Sequence, residues 1–220
     1  MPYCGDRERP PENGIISVKM TKPIASASPR LRARIAGLLY MVIFIAAPSG
    51  AENATPAKMV ITLACDIGVA LLFYNLLKPV SKNLSLLAAV FRLIFVAVMA
   101  VNSLNYFGPL DLFKSAHSPA AFNTGYDIAL VPFGVHCVVT GRLIYQSKFL
   151  PRIIGILIAL AGLGYLTFLW PPLGDHLFVP YILVPALAGE GSLTLWLVLI
   201  GVNAERWTQQ ASAAVNNDST

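Results

Sequence analysis

Six long apolar runs, separated by short polar connections, constrain this chain more than any other feature of its sequence. They lie at about 35–50, 59–77, 84–107, 126–146, 152–170 and 179–203. A helix needs about 20 apolar residues to cross a bilayer core of about 30 Å. The runs are continuously apolar, whereas the strands of a membrane barrel alternate apolar and polar residues. The sequence therefore predicts an all-α integral membrane bundle of six transmembrane helices.

The composition indicates the same class of protein and excludes several others. The chain is 56% hydrophobic and 12% charged, whereas a soluble domain carries about 25% charged residues. Its three cysteines are an odd number, which excludes a fully paired disulfide framework, and they show no zinc-binding spacing. The sequence also lacks a Gly-rich phosphate loop and a Gly-x-Ser-x-Gly motif. We therefore expect no cofactor and no metal site.

The basic residues are distributed unevenly between the two sides of the predicted bundle. Two of them, Lys58 and Lys114, fall in connections on one side, and thirteen fall on the other side. The thirteen are Arg7, Arg9, Lys19, Lys22, Arg30, Arg32, Arg34, Lys78, Lys82, Arg142, Lys148, Arg152 and Arg206. Because short loops rich in Lys and Arg stay in the cytoplasm, we expect an inner-membrane protein with both termini cytoplasmic. These residues flank apolar runs, so the net charge of +5 does not predict a nucleic-acid partner.

The two ends of the chain differ in composition from the bundle between them. Residues 1–29 are polar and proline-rich, and we expect them to form a disordered cytoplasmic leader. Residues 30–207 make up the predicted six-helix transmembrane domain. Residues 208–220 are rich in Ala, Ser and Asn, and we expect a disordered cytoplasmic tail there. Met20 precedes a short basic approach to the first helix, so translation from Met20 rather than Met1 stays an alternative.

Several short motifs along the chain occur in the order found in one family of bacterial membrane proteins. They are SPRLRARIAGLLY at 28–40, Phe91-Arg92-Leu93, His136-Cys137 with Gly141, FLPRIIG at 149–155, Gly189-Glu190 with Trp196-Leu197, and Asn203-Ala204-Glu205-Arg206-Trp207. With these motifs the chain resembles the family catalogued as domain of unknown function 4386, over about 28–207. The resemblance implies a multi-span inner-membrane protein. It carries over no catalytic residue, because the family has none assigned.

Four ionisable residues lie inside four different apolar runs and are the candidate ligand-binding residues. They are Asp66, Arg92, His136 and Glu190, each roughly 10–15 Å from the end of its run at 1.5 Å per residue. Tyr106 is added because it shares a helix face with Arg92 at a spacing of two heptads. Charges at bilayer depth face the bundle interior and pair. We therefore expect Arg92 to pair with either Glu190 or Asp66.

Two interpretations of these residues stay open at the sequence level. An arginine beside an acid can be a structural ion pair, and His136 can hydrogen-bond a neighbouring helix without further function. If the four groups instead form a pocket, the first function class is a binder or transporter of protons or of a small amphiphilic or lipid ligand. The second is an enzyme acting on a lipid or isoprenoid with a buried carboxylic acid as proton donor. Its chamber would be lined by Tyr106, Tyr126, Phe133, Tyr165 and Trp170.

One further pattern concerns helix packing and partners. Gly155, Ala159 and Gly162 form a stripe of small residues in the fifth run, which is typical of a close helix–helix contact. The expected partners are the lipid bilayer and the amphiphilic ligand. The oligomeric state does not follow from the sequence.

Overall fold

The computed structural model describes residues 28–48, 50–108 and 118–218, with side chains up to 214. The leader predicted over 1–29 therefore lies outside the described residues, except for its last two positions. The described chain is helical and contains no strand. Its helices are α1 (Pro29–Ala46), α2 (Pro56–Leu77), α3 (Lys82–Phe107), α4 (Pro119–Gln146), α5 (Arg152–Leu166), α6 (Pro171–Leu177), α7 (Leu183–Leu199) and α8 (Ala204–Asp218).

Four of the long helices begin at hydroxyl side chains, a few residues before the apolar runs. Ser28, Thr55, Ser81 and Ser118 each accept a hydrogen bond from the backbone N–H three residues further on. Such a cap satisfies one of the four N–H groups that a helix leaves unpaired at its start. Proline follows the cap in α1, α2 and α4, where its fixed φ suits the first helical position.

The all-α prediction is confirmed, and five helices are long and apolar enough to cross a membrane. They are Pro56–Leu77, Lys82–Phe107, Pro119–Gln146, Arg152–Leu169 and Pro171–Leu199. The first predicted span, now α1, is not among the five. It has 18 residues and carries Arg30, Arg32 and Arg34 in its first turns.

The long helices form a closed ring in which neighbours along the chain are neighbours in space. Contacts run from α1 to α2, α3, α4 and α5 in turn, then from α5 to α7, and α7 returns to α1. Many large apolar side chains point away from the ring, among them Ile45 at 78% exposed and Val60 at 68% exposed. An apolar exterior of this extent suits lipid rather than water.

Helices α4 and α5 make the closest contact of the ring, and glycine allows it. A Cβ atom added at Gly141 would lie 2.5 Å from the carbonyl oxygen of Gly155, and one at Gly162 would lie 2.7 Å from that of Gly134. Only hydrogen fits at such distances, so the two backbones pack directly against each other. The predicted seam on α5 is confirmed, since Ala159 also lies against Gly141.

The sixth predicted span, 179–203, differs from the observed helix. The helical path of α6 breaks at Val179, whose φ of −115° and ψ of 125° are extended. The break has a local cause, because the residue before a proline is disfavoured in the helical region and Pro180 follows. Helix α7 then runs to Leu199, and the chain turns away just beyond it at Gly201, whose φ is +75°.

The tail expected to be disordered from residue 208 is instead part of α8. Asn203 accepts a hydrogen bond from the N–H of Arg206 at 3.0 Å and so caps the helix. The indole Nε1 of Trp207 donates to the carbonyl oxygen of Leu76 at 2.8 Å, which fastens α8 to the end of α2. The alanines and glutamines that follow favour helix, so the capped first turn propagates into the tail.

Candidate functional site

Arg92 of α3 lies at the centre of the ring and pairs with Asp66 of α2. Its Nε and Nη2 atoms both donate to Oδ1 of Asp66, at 3.0 and 2.5 Å. The arginine side chain is 1% exposed and the aspartate side chain 2% exposed. The two helices are adjacent in the ring, which lets the side chains meet without crossing the central space. Of the two partners expected for Arg92, the structure thus selects Asp66.

The remaining nitrogen of the guanidinium, Nη1, contacts side chains from two further helices. It lies 3.0 Å from the hydroxyl oxygen of Tyr40 on α1 and 3.1 Å from Nε2 of His136 on α4. The other imidazole nitrogen, Nδ1, lies 2.9 Å from the carbonyl oxygen of Ala88. A guanidinium only donates and a carbonyl only accepts. His136 therefore donates from Nδ1, accepts at Nε2 and is neutral in this arrangement.

Two aromatic rings complete the surroundings of Arg92. The guanidinium carbon lies 4.7 Å from the ring centroid of Tyr40 and 5.5 Å from that of Phe133. These distances are within the range of a cation–π interaction. Arg92 is thus bound by an acid, a neutral imidazole, a phenol and two ring faces from α1, α2 and α4. Its position is therefore set by three neighbouring helices rather than by one.

Glu190 of α7 belongs to a separate polar contact. Its Oε1 accepts a hydrogen bond of 2.7 Å from the hydroxyl of Tyr165 on α5, and the residue is 9% exposed. Among the described side chains, Arg92 and Asp66 form an ion pair. No Lys, Arg or His nitrogen of these side chains lies within 4.0 Å of a carboxylate oxygen of Glu190. Glu190 therefore does not form an ion pair with Arg92, and no base among the described side chains forms one with it.

A cavity of about 180 Å³ lies between these two polar contacts. All six helices of the ring contribute to its wall. The polar and aromatic residues lining it are Tyr40, Phe44, Thr62, Asp66, Arg92, Phe95, Tyr126, Phe133, Tyr165 and Glu190. The rest of the wall is mostly apolar, so the space is amphipathic, with its ionisable groups at the two polar contacts.

The cavity extends toward only one end of the bundle. Its wall continues to Pro48, Met59 and Met99, near the end where α1 leads into α2. Toward the other end, where α2 leads into α3, the interior is filled by apolar side chains, each no more than 2% exposed. These are Leu76, Leu77, Ile144, Leu193 and Leu197. The cavity is therefore closed on the side that carries Lys78 and Lys82.

The structure brings three of the five predicted ligand-binding residues to the cavity wall. Asp66, Arg92 and Glu190 line it, while His136 lies behind Arg92 and holds it. Tyr106 does not line the cavity, and its ring packs on Phe122 with centroids 4.8 Å apart. Tyr106 and Arg92 are two heptads apart on α3, but these fourteen residues place them about 21 Å apart along the helix axis.

Sequence reasoning missed the roles of two tyrosines. Tyr40 lies on the buried face of α1 with Ala33, Ala36 and Gly37, a stripe with helical spacing that marks an inward-facing hydroxyl. Tyr165 was expected only as an aromatic wall residue, and its bond to Glu190 depends on how α5 and α7 pack. Of the other expected wall residues, Tyr126 and Phe133 line the cavity. Trp170 does not; it is 68% exposed.

The ring of apolar helices around a polar centre defines a multi-pass helical membrane protein. The family model described as Domain of unknown function (DUF4386) matches residues 54–201, and the chain belongs to this family. A relative named uncharacterized protein, from Archaeoglobus fulgidus, is 33% identical over 136 residues. That match covers 62% of this chain and 76% of the relative. No solved structure matches the chain. Asp66, Arg92, His136 and Glu190 all fall within the family match, whereas Tyr40 precedes it.

Proposed function

We propose that this protein binds a small amphiphile in the central cavity of its helix ring. The observation that carries the proposal is the amphipathic cavity itself, with Arg92, Asp66 and Glu190 on part of a wall that is otherwise apolar and aromatic. Ligand sites in proteins are concave, mostly apolar and furnished with a few convergent polar groups. Charged residues at membrane depth also mark substrate and ion pathways. A ligand with one polar end and one apolar end matches this wall.

We further propose that α1 is a sixth span. The protein would then lie in a bacterial inner membrane with both termini in the cytoplasm. Helix α1 has 18 residues, or about 27 Å at 1.5 Å per residue, close to the thickness of the bilayer core. Its arginines lie at the end that shares a side with Lys78, Lys82 and Lys148. The positive-inside rule then puts this side in the cytoplasm. In this orientation the cavity faces outward.

Filling the cavity tests the binding proposal. Ala186 lines the cavity and is 4% exposed, so Ala186→Phe places a ring in the space where a ligand would sit. Ala188 lies two residues further along α7 and is exposed, so Ala188→Phe is the matched control. The measurement is mass spectrometry of lipids and metabolites that purify with each variant. We expect one or more molecules to be retained by wild type and Ala188→Phe and lost from Ala186→Phe. Equal retention by both variants would contradict a ligand in the cavity.

An enzyme acting on a lipid or isoprenoid is the second candidate, and the closed end of the cavity favours it. A chamber with one opening has no exit on the other side of the membrane, which suits chemistry better than passage. Glu190 would then be the proton donor, as its carboxyl group lies at the wall among aromatic rings. Incubation with the retained molecule separates the two classes. An enzyme converts it to a product, and Glu190→Gln stops that conversion, whereas a binder releases it unchanged.

A further inference from the structure

The charges at the cavity wall balance only if Glu190 binds a proton or a cation. Arg92 carries one positive charge, and its bonds to Asp66 account for one negative charge. His136 contributes none, because its Nε2 accepts from Arg92. Glu190 remains, facing the cavity with a single hydroxyl donor, that of Tyr165. When both carboxylates are ionised the wall has one surplus negative charge, in a region where an unpaired charge is costly.

The guanidinium is poorly placed to receive an anionic ligand. Four of its five N–H groups already have partners, since Nε and one N–H of Nη2 donate to Asp66 and Nη1 donates to Tyr40 and His136. An anion would meet a charge that is already neutralised and would be repelled by Glu190. A neutral ligand would leave Glu190 to lose its charge by binding a proton. A cationic ligand supplies the counter-charge itself.

Aromatic rings surround the same part of the cavity. Phe133 lies 4.9 Å from Phe95 and 5.5 Å from Tyr165, measured between ring centroids, and all three line the cavity. Aromatic rings beside a carboxylate are the recognition chemistry of ammonium groups, since ring faces attract a cation without needing a hydrogen bond. Tyr165 thus serves both functions, donating to Glu190 and adding its ring to the wall.

The volume of the cavity limits what enters it. A cavity of about 150 Å³ holds one benzene molecule, and drug-sized ligands need about 300 Å³ or more. At about 180 Å³ this cavity accommodates a head group but no long chain. The wall includes Phe44 of α1 and Leu187 of α7, which are 40% and 54% exposed. The cavity therefore reaches the apolar exterior of the ring where α1 and α7 close it.

We propose that the cavity receives the ammonium head of a cationic single-chain amphiphile, held against Glu190, with the alkyl chain passing between α1 and α7 into the lipid. This inference rests on the proposed binding function and names its ligand class. The carboxylate supplies the counter-charge, the ring of Tyr165 beside it replaces part of the hydration of the cation, and the exposed apolar side chains of Phe44 and Leu187 receive the chain.

The test uses three probes with the same alkyl chain and different heads. Hexyltrimethylammonium, hexyl sulfate and hexanol are titrated into the full-length protein in dodecyl maltoside micelles, with empty micelles as the blank. Isothermal titration calorimetry measures each affinity. We expect the ammonium probe to bind at least tenfold more tightly than the other two. This comparison needs only the wild-type chain, so it does not depend on whether a variant folds.

Variants then place the bound cation. Glu190→Gln removes the charge and is expected to lower the affinity for the ammonium probe at least tenfold, while Glu190→Asp keeps a preference for that probe. Glu205→Gln, the same change at an exposed acid of α8, is expected to leave the affinity unchanged. Ala186→Phe is expected to abolish binding of every probe.

The outcomes separate the two proposals. If hexyl sulfate or hexanol binds as tightly as the ammonium probe and Ala186→Phe abolishes that binding, the cavity binds amphiphiles and the inference of a cation is overturned. If no probe binds in a manner sensitive to Ala186→Phe, the binding function itself is overturned. Unchanged affinity for the ammonium probe in Glu190→Gln would also overturn the assignment to this carboxylate.

Discussion

Arg92 and Asp66 lie on adjacent helices and form a buried ion pair, with Nη2 of the arginine 2.5 Å from Oδ1 of the aspartate. The low dielectric of the interior strengthens the attraction between the two charges, but desolvation cancels much of this gain. Such a pair adds little net stability, whereas either partner alone is strongly destabilising. Removing one partner should therefore cost more than removing both.

The first prediction concerns this pair. Arg92→Leu leaves the Asp66 carboxylate buried without a counter-charge and is expected to lower the free energy of unfolding by roughly 3–5 kcal/mol. Arg92→Leu combined with Asp66→Leu is expected to recover part of that loss. Sodium dodecyl sulfate titration in mixed micelles, followed by circular dichroism, measures the unfolding free energy of each variant.

The matched control for the pair combines Arg92→Leu with Glu190→Leu. Glu190 bonds Tyr165 rather than Arg92, so this second double variant is expected to recover less than the first. Equal recovery by the two double variants would show that the guanidinium interacts with both acids to a similar extent, against the contacts described above.

The second prediction concerns His136, which links Arg92 to the backbone of α3. His136→Leu leaves the Ala88 carbonyl and one guanidinium N–H without partners, at a cost of about 1–3 kcal/mol for each group. Thr140→Val is the control, because this hydroxyl lies one turn away and its contact with Nδ1 is long, at 3.5 Å. We expect a clear loss of thermal stability for His136→Leu and a small change for Thr140→Val. The reverse order would contradict the bridging role.

The third prediction concerns the glycine seam between α4 and α5. Gly141→Ala puts a methyl group 2.5 Å from the Gly155 carbonyl oxygen, so the helices must separate, which costs about 1–3 kcal/mol. Gly191→Ala on α7 meets nothing within 4 Å and is expected to be neutral or to gain up to ~1 kcal/mol from helix propensity. The measurement is the melting temperature of each variant in the same detergent, and we expect that of Gly141→Ala to be lower than that of Gly191→Ala. Similar melting temperatures would mean that the seam tolerates separation.

The fourth prediction concerns the topology of α1. Single-cysteine variants are made in a chain whose Cys4, Cys65 and Cys137 are replaced by serine or alanine. In intact cells we expect a membrane-impermeant maleimide to label Thr55→Cys but not Ser28→Cys, because the two positions flank α1. Asn83→Cys, in the first turn of α3 next to the basic connection from α2, is the control for the cytoplasmic side and should react only after permeabilisation. Labelling of both Ser28→Cys and Thr55→Cys in intact cells would mean that α1 does not cross.

Much of the fold follows from local patterns that the sequence displays directly. The apolar runs predict the helices, and the hydroxyl caps and prolines at their starts explain why the helices begin earlier than the runs. The small-residue stripe at Gly155, Ala159 and Gly162 predicts the seam with α4. Errors occur where local signals compete. Pro180 breaks the last span, and the cap at Asn203 turns a polar tail into α8.

The candidate site was predicted only in part, for a geometric reason. Helical phase identifies inward-facing groups such as Asp66, Arg92 and Glu190, because it depends on 3.6 residues per turn. It does not identify which groups on different helices meet, and Tyr106 shows that a shared face does not mean a shared depth. Neither pattern nor spacing distinguishes Asp66 from Glu190 as the partner of Arg92.

The sequence alone determined that this is a bundle of apolar helices with ionisable groups at its centre, because hydrophobicity and helical period are properties of each segment taken separately. The tertiary structure decided the pairing of those groups, since pairing depends on which helices are adjacent in the ring and on their relative heights. With α2 beside α3, Asp66 meets Arg92. With α5 beside α7, Tyr165 meets Glu190, and the carboxyl group of Glu190 is left facing the cavity.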